Sequence, residues 1–228
     1  MKRSEINEIM KEALNFFEKQ NFRLPPFVQW TPDEWKTKGE EAREIRDNML
    51  GWDITDYGQG DFRKIGLLLI TLRNGNQQCP ERYPKPYAEK IMIVREEQVT
   101  PMHFHFYKME DIINRGGGNL VIKLYNSTED GELADTDVRV SMDGVEHVFS
   151  AGTEIVLHPG KSITMQPGLY HRFWGEKGSG TVMVGEVSQC NDDNNDNRFY
   201  DKVGRFPEIE EDETPLYLLC SEYPAFHA

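Results

Sequence analysis

The sequence predicts a mainly-β protein, a small antiparallel barrel or sandwich that carries a helical extension at its N-terminal end. Three observations predict it. Between about residues 60 and 190, short apolar and β-branched runs follow one another, broken by Gly, Pro and Asn. Before that stretch, apolar residues recur at helical rather than strand spacing. Asp143-Gly144 separates two such runs, the strongest short-range signal for a two-residue hairpin.

Taken in order, Ile6, Ile9, Met10, Ala13, Leu14 and Phe17 lie on one face of a first helix, which Pro25-Pro26 stops. A second helix is expected from Thr31 as N-cap, with Pro32 at the first helical position and Glu34 closing a capping box. It should run through Trp35, Ala42 and Ile45 and end at Gly51, so residues 1–58 form the extension. Strands are expected at IGLLLITL (65–72), YAEKIMIV (87–94), QVTPMHFHF (98–106) and NLVIKLYN (119–126). The hairpin DVRVSMDGVEHVF (137–149) comes next. TEIVLH (153–158), SITM (162–165), YHRFW (170–174) and TVMVGEVS (181–188) complete the set. Residues 191–228 read as a closing segment: NDDNND (191–196) as a solvated loop, PLYLLCSEY (215–223) as a final helix or strand. The whole length of 228 residues suits one domain.

Composition narrows the function. With 39 acidic against 26 basic residues the net charge is −13, which disfavours nucleic acid and anionic lipid surfaces as partners. Three cysteines without a CxxC spacing disfavour a disulfide framework or a zinc knuckle. The N-terminus lacks the unbroken apolar core of a signal peptide, and no stretch is long enough to cross a bilayer, so a cytoplasmic location is expected.

The chemistry concentrates at four residues. On a strand, residues two apart share a face, so His103 and His105 present two imidazoles side by side while Phe104 and Phe106 face the other way. Neutral imidazole suits Mn, Fe, Zn, Ni and Cu. Glu110 follows His105 at an odd spacing, so a turn or bulge must intervene to bring its carboxylate to the pair. Lys108 shares its parity, and Gly116-Gly117-Gly118 lets the chain turn back. His171, just after the Pro167-Gly168 turn, supplies a third imidazole. Three imidazoles and one carboxylate leave positions open on an ion that prefers five or six ligands, as in a catalytic or ligand-binding centre. His147 on the hairpin arm, His158 before Pro159 and His227 near the C-terminus have no partner at ligand spacing.

HFHFYKMEDIINRG resembles the first cupin motif, with His103, His105, Glu110 and Gly117 in place, and Pro-Gly-x-x-His at 167–171 resembles the second. Glu97, Gln166 and Gly175 stand where those motifs carry glycine, proline and asparagine, positions that shape turns rather than hold metal. AEKIMIVRE, TPMHFHFYKMEDIINRGGGNLVIKLYNS and PGLYHRFW are similar to the D-lyxose isomerases, and the likeness extends through the N-terminal helices. The resemblance implies a cupin, jelly-roll-like barrel and a manganese-dependent aldose–ketose isomerase. D-lyxose and D-xylulose would be its main sugars, D-mannose and D-fructose secondary ones, and a homodimer its usual assembly. It assigns His103, His105, Glu110 and His171 as metal ligands.

Such a reaction needs a base for the C2 proton and a group that meets the developing negative charge. Glu186 interrupts the apolar run TVMVGEVS and is the candidate base, its pKa expected to be raised by burial. Lys108 is the candidate for the oxyanion. Lys90, within another apolar run, and Asp193, in the acidic loop, are candidates for sugar hydroxyls, and Trp174 with Tyr170 for a stacking wall. Each has a structural alternative: a paired face lysine, a solvated loop acid, core aromatics. Two other functions are compatible with the same ligands, an Fe(II) dioxygenase and a non-catalytic sugar-binding cupin.

Overall fold

The computed structural model describes residues 1–193 and 195–225; His227 lies outside them. Helix α1 (Arg3–Lys19) precedes two short helices, α2 (Pro32–Lys36) and α3 (Arg43–Asp47). Strands β1 (Gly51–Thr55), β2 (Leu67–Arg73) and β3 (Tyr87–Val94) follow. β4 (His103–His105), β5 (Glu110–Gly117), β6 (Leu120–Ser127) and β7 (Leu133–Ala134) come next. The hairpin is β8 (Val138–Met142) and β9 (Val145–Phe149), then β10 (Glu154–Leu157) and β11 (Ser162–Met165). β12 (Leu169–Gly175), β13 (Val182–Gln189) and β14 (Asn197–Phe199) complete the described strands.

The strands form two curled antiparallel sheets. One has the order β1-β2-β3-β13-β5-β11-β8-β9, the other β10-β6-β12-β4-β14, with β7 beside β6. Alternation decides what each face buries. Leu69, Met92, Ile112, Ile122, Phe173 and Val184 point inward from both sheets and fill the space between them. On the outer face of the larger sheet, Ile70, Ile91, Ile93 and Met183 meet Ile6, Met10 and Phe17 of α1. Each such buried side chain contributes about 2 kcal/mol. The outcome is the cupin-type barrel that the two motifs imply.

Three expectations need correction. The second helix does not run from Thr31 to Gly51. Its capping box forms as expected, but Thr37 bonds back to the Glu34 carbonyl and Gly39 leaves helical geometry, so the segment breaks into short turns. Residues 51–55 belong to the sheet rather than to the helical extension, pairing with β2. QVTPMHFHF shortens to His103–His105, because Pro101 has no N–H and Val99 and Thr100 bond to loop and β12 carbonyls instead.

The closing segment also differs in detail. PLYLLCSEY is neither helix nor strand; it lies along β1 through a single bridge from Leu219 to Trp52. Residues 197–199, within the stretch expected to be irregular, form β14 on the edge of β4. The hairpin turn holds, with Asp143 and Gly144 both at positive φ (50° and 82°). Glu97, where the motif carries glycine, sits at φ 57°, so the backbone there keeps the conformation glycine favours. A Cβ on Gly175 would fall 2.6 Å from the Arg95 carbonyl oxygen, which leaves no room for the motif's asparagine.

Candidate active site

Two sheets supply the metal-ligating residues. β4 and β12 are neighbours in the smaller sheet, and His103 pairs directly with His171. The Gly168 N–H bonds to the His105 carbonyl at 2.8 Å, so the Pro167-Gly168 turn fixes that register. Residues 106–109 then carry the chain across to the larger sheet, where Glu110 opens β5. This crossing is the turn that the odd spacing required. The imidazole donor atoms of His103, His105 and His171 lie within 4.8 Å of one another. Glu110 Oε1 stands 3.1 Å from His171 Nε2, and its Oε2 3.3 Å from His105 Nε2.

The donor set fits a cation. His103 Nδ1 donates to the Pro101 carbonyl and His171 Nδ1 to the Leu169 carbonyl, leaving both Nε2 lone pairs free. In the neutral ring the His171 Nε2 beside Glu110 is then a lone-pair donor, as a metal ligand must be. Adjacent ligands of an octahedral ion at about 2.1 Å lie about 3 Å apart, close to both contacts. Burial, then the neighbouring His171 and His105, push His103 well below the usual imidazole range, and burial with Lys108 lowers His105. Neutral rings are the metal-binding form. His105 Nδ1 is buried without a hydrogen-bond partner among the described residues.

From Glu110 a line of alternating charges runs through the interior. Lys108 Nζ lies 2.9 Å from Glu110 and 2.9 Å from Glu186. Glu186 and Lys90 are direct cross-strand partners on β13 and β3, 3.3 Å apart. Lys90 donates to Asn191 Oδ1 at 2.6 Å, and Asn191 Nδ2 to Asp193 at 2.7 Å. Asp193 faces Arg205 at 3.3 Å, and Arg205 grips Asp53 of β1 through both terminal nitrogens. Lys90, Lys108, Glu110, Glu186, Asp193 and Arg205 line one cavity with the three histidines, a tight space of about 40 Å³.

The charges set one another's protonation. Burial pushes Glu186 up, but Lys108 and Lys90 outweigh it and hold the carboxyl below its ordinary value. This reverses the expectation of a raised pKa, which took account of burial and missed the two ammoniums. Burial likewise opposes Glu110 and Lys108, yet their pairing keeps the first well below and the second above its usual range. Asp193 is lowered by Arg205, Lys90 and Lys108 against its burial.

The structure thus gathers His103, His105, Glu110, His171, Lys108, Glu186, Lys90 and Asp193 in one cavity. It does not bring Trp174 there. Trp174 is three residues from His171 on β12, so it points outward, where Lys123 and Arg172 lie over its ring. Tyr170 faces outward too, packed on Met102 and Phe104 with its hydroxyl on the Gly131 carbonyl. His147 stacks on Phe149 and His158 pairs with Asn119, both away from the site. Sequence reasoning missed Asn191, Arg205, Asp53 and Tyr57. Only the break from apolar residues at Asp53 in β1 was visible in advance.

A model of the D-lyxose isomerase family matches residues 1–223. The chain belongs to the D-lyxose isomerase family. It is 51% identical over its full length, and over that of the relative, to a D-lyxose/D-mannose isomerase of Serratia proteamaculans. It is 48% identical to a protein of that name from Escherichia coli O157:H7, over 99% of this chain and 100% of that one. Membership makes the chain an enzyme of the sugar-isomerase class rather than a non-catalytic binder. An L-ribose isomerase of Cellulomonas parahominis shares the fold, with a TM-score of 0.61 over 92% of this chain and 98% of that one at 15% identity. No helix among the described residues is long and apolar enough to cross a membrane.

Proposed function

We propose that the chain interconverts D-lyxose and D-xylulose, and more slowly D-mannose and D-fructose, by proton transfer on an open-chain sugar. One observation carries the mechanism: Lys108 bridges the ligand carboxylate Glu110 and a second buried carboxylate, Glu186, in the cavity that the three histidines also line. His103, His105, Glu110 and His171 would hold a divalent ion, Mn²⁺ by family resemblance. Such an ion would supply Lewis-acid polarisation of the sugar's carbonyl and support for the negative charge that develops beside it.

The chain's own groups do the rest. Glu186, kept ionised by Lys108 and Lys90, is ready at neutral pH to take the C2 proton. The same ammoniums disfavour its protonated form, so the proton passes on to C1, while the hydroxyl proton of O2 is transferred to O1 and the carbonyl moves from C1 to C2. Lys108 offers a fixed donor to the oxygen on which charge accumulates. Along the line of charges, four carboxylates (Glu110, Glu186, Asp193, Asp53) face three cations (Lys108, Lys90, Arg205). A dication turns that set from a net −1 to +1, a balance that favours a substrate becoming negative. Lining of this polarity suits a polyol and argues against an Fe(II) dioxygenase acting on an aromatic or thiol. A homodimer, as the resemblance implies, belongs to the same reading and is checked by sedimentation of the purified protein.

The test is a screen of pentoses and hexoses with chelator-stripped protein reloaded with Mn²⁺, Fe²⁺, Co²⁺, Ni²⁺ or Zn²⁺. D-lyxose should give D-xylulose fastest, with Mn²⁺ the best ion. Run in D₂O, solvent deuterium in the product shows transfer through a base; where none appears, the Glu186→Gln variant decides, and full activity in it removes Glu186 from the role of base.

A further inference from the structure

At the end of the cavity away from Lys108 stands a group that the chemistry above leaves unused. Tyr57 is 2% exposed and lines the cavity beside Asp193, Arg205 and Phe199. Its hydroxyl makes no hydrogen bond to any described residue; the hydrogen bonds of Tyr57 all involve its backbone. The polar groups around it are committed. Arg205 is held by Asp53 and Asp193, and Asp193 takes further hydrogen bonds from Asn191 and Asn197. With no protein partner and with access to the cavity, the hydroxyl is left for solvent or a ligand to satisfy.

The backbone places this side chain deliberately. Tyr57 adopts φ 54°, a left-handed conformation that is uncommon for a bulky residue. Thr55 Oγ1 accepts its N–H, Asp56 accepts the N–H groups of Gly58 and Gly60, and Gly204 bonds to its carbonyl. Its ring packs edge-on to Phe199 (5.7 Å), and Phe199 in turn lies 5.5 Å from the His103 ring. Tyr57 is therefore one intervening ring away from the metal-ligating histidines. Burial raises its pKa, so the hydroxyl stays a neutral donor and acceptor.

We propose that the Tyr57 hydroxyl binds the hydroxyl at the far end of the open-chain sugar and so determines which sugars are held for reaction at C1 and C2. The proposal rests on the sugar-isomerase reading of the cavity and adds the subsite for the unreacting end. A hydroxyl–hydroxyl contact of this kind discriminates against a substrate that lacks the partner, because the enzyme group is then left unpaired.

The experiment compares D-lyxose with 5-deoxy-D-lyxose on the Mn²⁺-loaded wild type and on Tyr57→Phe, which keeps the ring and its contact with Phe199. Wild type should lose about tenfold in kcat/KM on the deoxy sugar, and Tyr57→Phe about tenfold on D-lyxose, chiefly in KM. On the deoxy sugar the two proteins should agree within about twofold, the signature of one shared contact. A loss of equal size on both sugars would make Tyr57 a structural residue, and no loss on D-lyxose would leave it without a role; either overturns the proposal. If wild type converts no D-lyxose, the substrate assignment fails separately. The comparison is then made on the sugar the screen identifies and its terminal deoxy analogue, with the same outcomes decisive.

Discussion

Glu186 shows how a side chain's neighbours, more than its burial, set what it can do. Burial alone argues for a protonated acid; two ammoniums within 3.3 Å reverse that. Glu186→Gln keeps the shape and the hydrogen bond to Lys108 but removes the base. Turnover should fall by about a thousandfold while bound metal, measured by mass spectrometry, stays stoichiometric, since Glu186 is bonded to lysines and not to the histidines. Retained activity would take the base assignment away. Asp193 lends itself to a pH test. Its folded pKa lies below the unfolded value of about 3.9, so the unfolded chain binds more protons in the window between them. Its contribution is therefore complete above about pH 4 and is lost as pH falls through the folded pKa. Asp193→Asn should cost about 2 kcal/mol near pH 7, and the gap to wild type in urea midpoints should close below about pH 4. A gap that widened toward acid would show the sign to be wrong. The residues readable beforehand were those whose types clash with their run, such as Glu186 and Lys90 in apolar strands. Trp174 was misplaced because aromatics fit either face of a strand. Arg205 and Tyr57 lie in loops, with no pattern to betray that they meet.

At the level of elements, strands were legible where apolar runs end at Gly, Pro or Asn. YAEKIMIV and SITM form over the expected residues, and the Asp-Gly hairpin forms where its turn chemistry dictates. Elements decided by tertiary contacts were not legible. β14 is three residues of an acidic, Asn-rich stretch that find the free edge of β4, and β1 begins at Gly51, where the sequence marked a helix end but carried too short a run to show a strand. The glycine run after β5 is a case where the sequence named the residue and the structure supplies the reason. Gly117 sits at φ 85°, and a Cβ there would meet the Thr181 carbonyl oxygen at 2.2 Å. Gly185 on β13 has ordinary φ, and its Cβ would touch only the flexible Arg115 side chain at 3.0 Å. Gly117→Ala should thus cost about 3 kcal/mol, or about 6–12 °C in Tm, from left-handed strain and the backbone clash. Gly185→Ala should cost much less. Melting curves of the two variants, followed by circular dichroism, give the comparison, and equal losses would contradict the geometry.

For the whole molecule, the decisive feature is that the proposed ligands belong to different sheets. His103 and His105 come from β4 and His171 from β12, while Glu110 opens β5 on the opposite side. An ion held by all four joins the two halves of the barrel across their shared core, so it binds the folded chain and has no preformed site in the unfolded one. Binding of that kind stabilises by mass action, about 2.7 kcal/mol at a free ion concentration of one hundred times Kd. For a chain of this size that corresponds to about 5–10 °C in Tm. Chelator-stripped protein should therefore melt lower than protein reloaded with Mn²⁺, and the shift should grow with the logarithm of ion concentration. His171→Gln removes one imidazole from the smaller sheet while leaving Glu110 paired with Lys108, so its Tm should respond far less to added Mn²⁺. The stripped variant should also melt close to the stripped wild type, because the paired charges beyond Glu110 do not depend on the ion. A wild type indifferent to Mn²⁺ would mean that the three histidines and Glu110 hold no ion, and the barrel would need another explanation for burying them together.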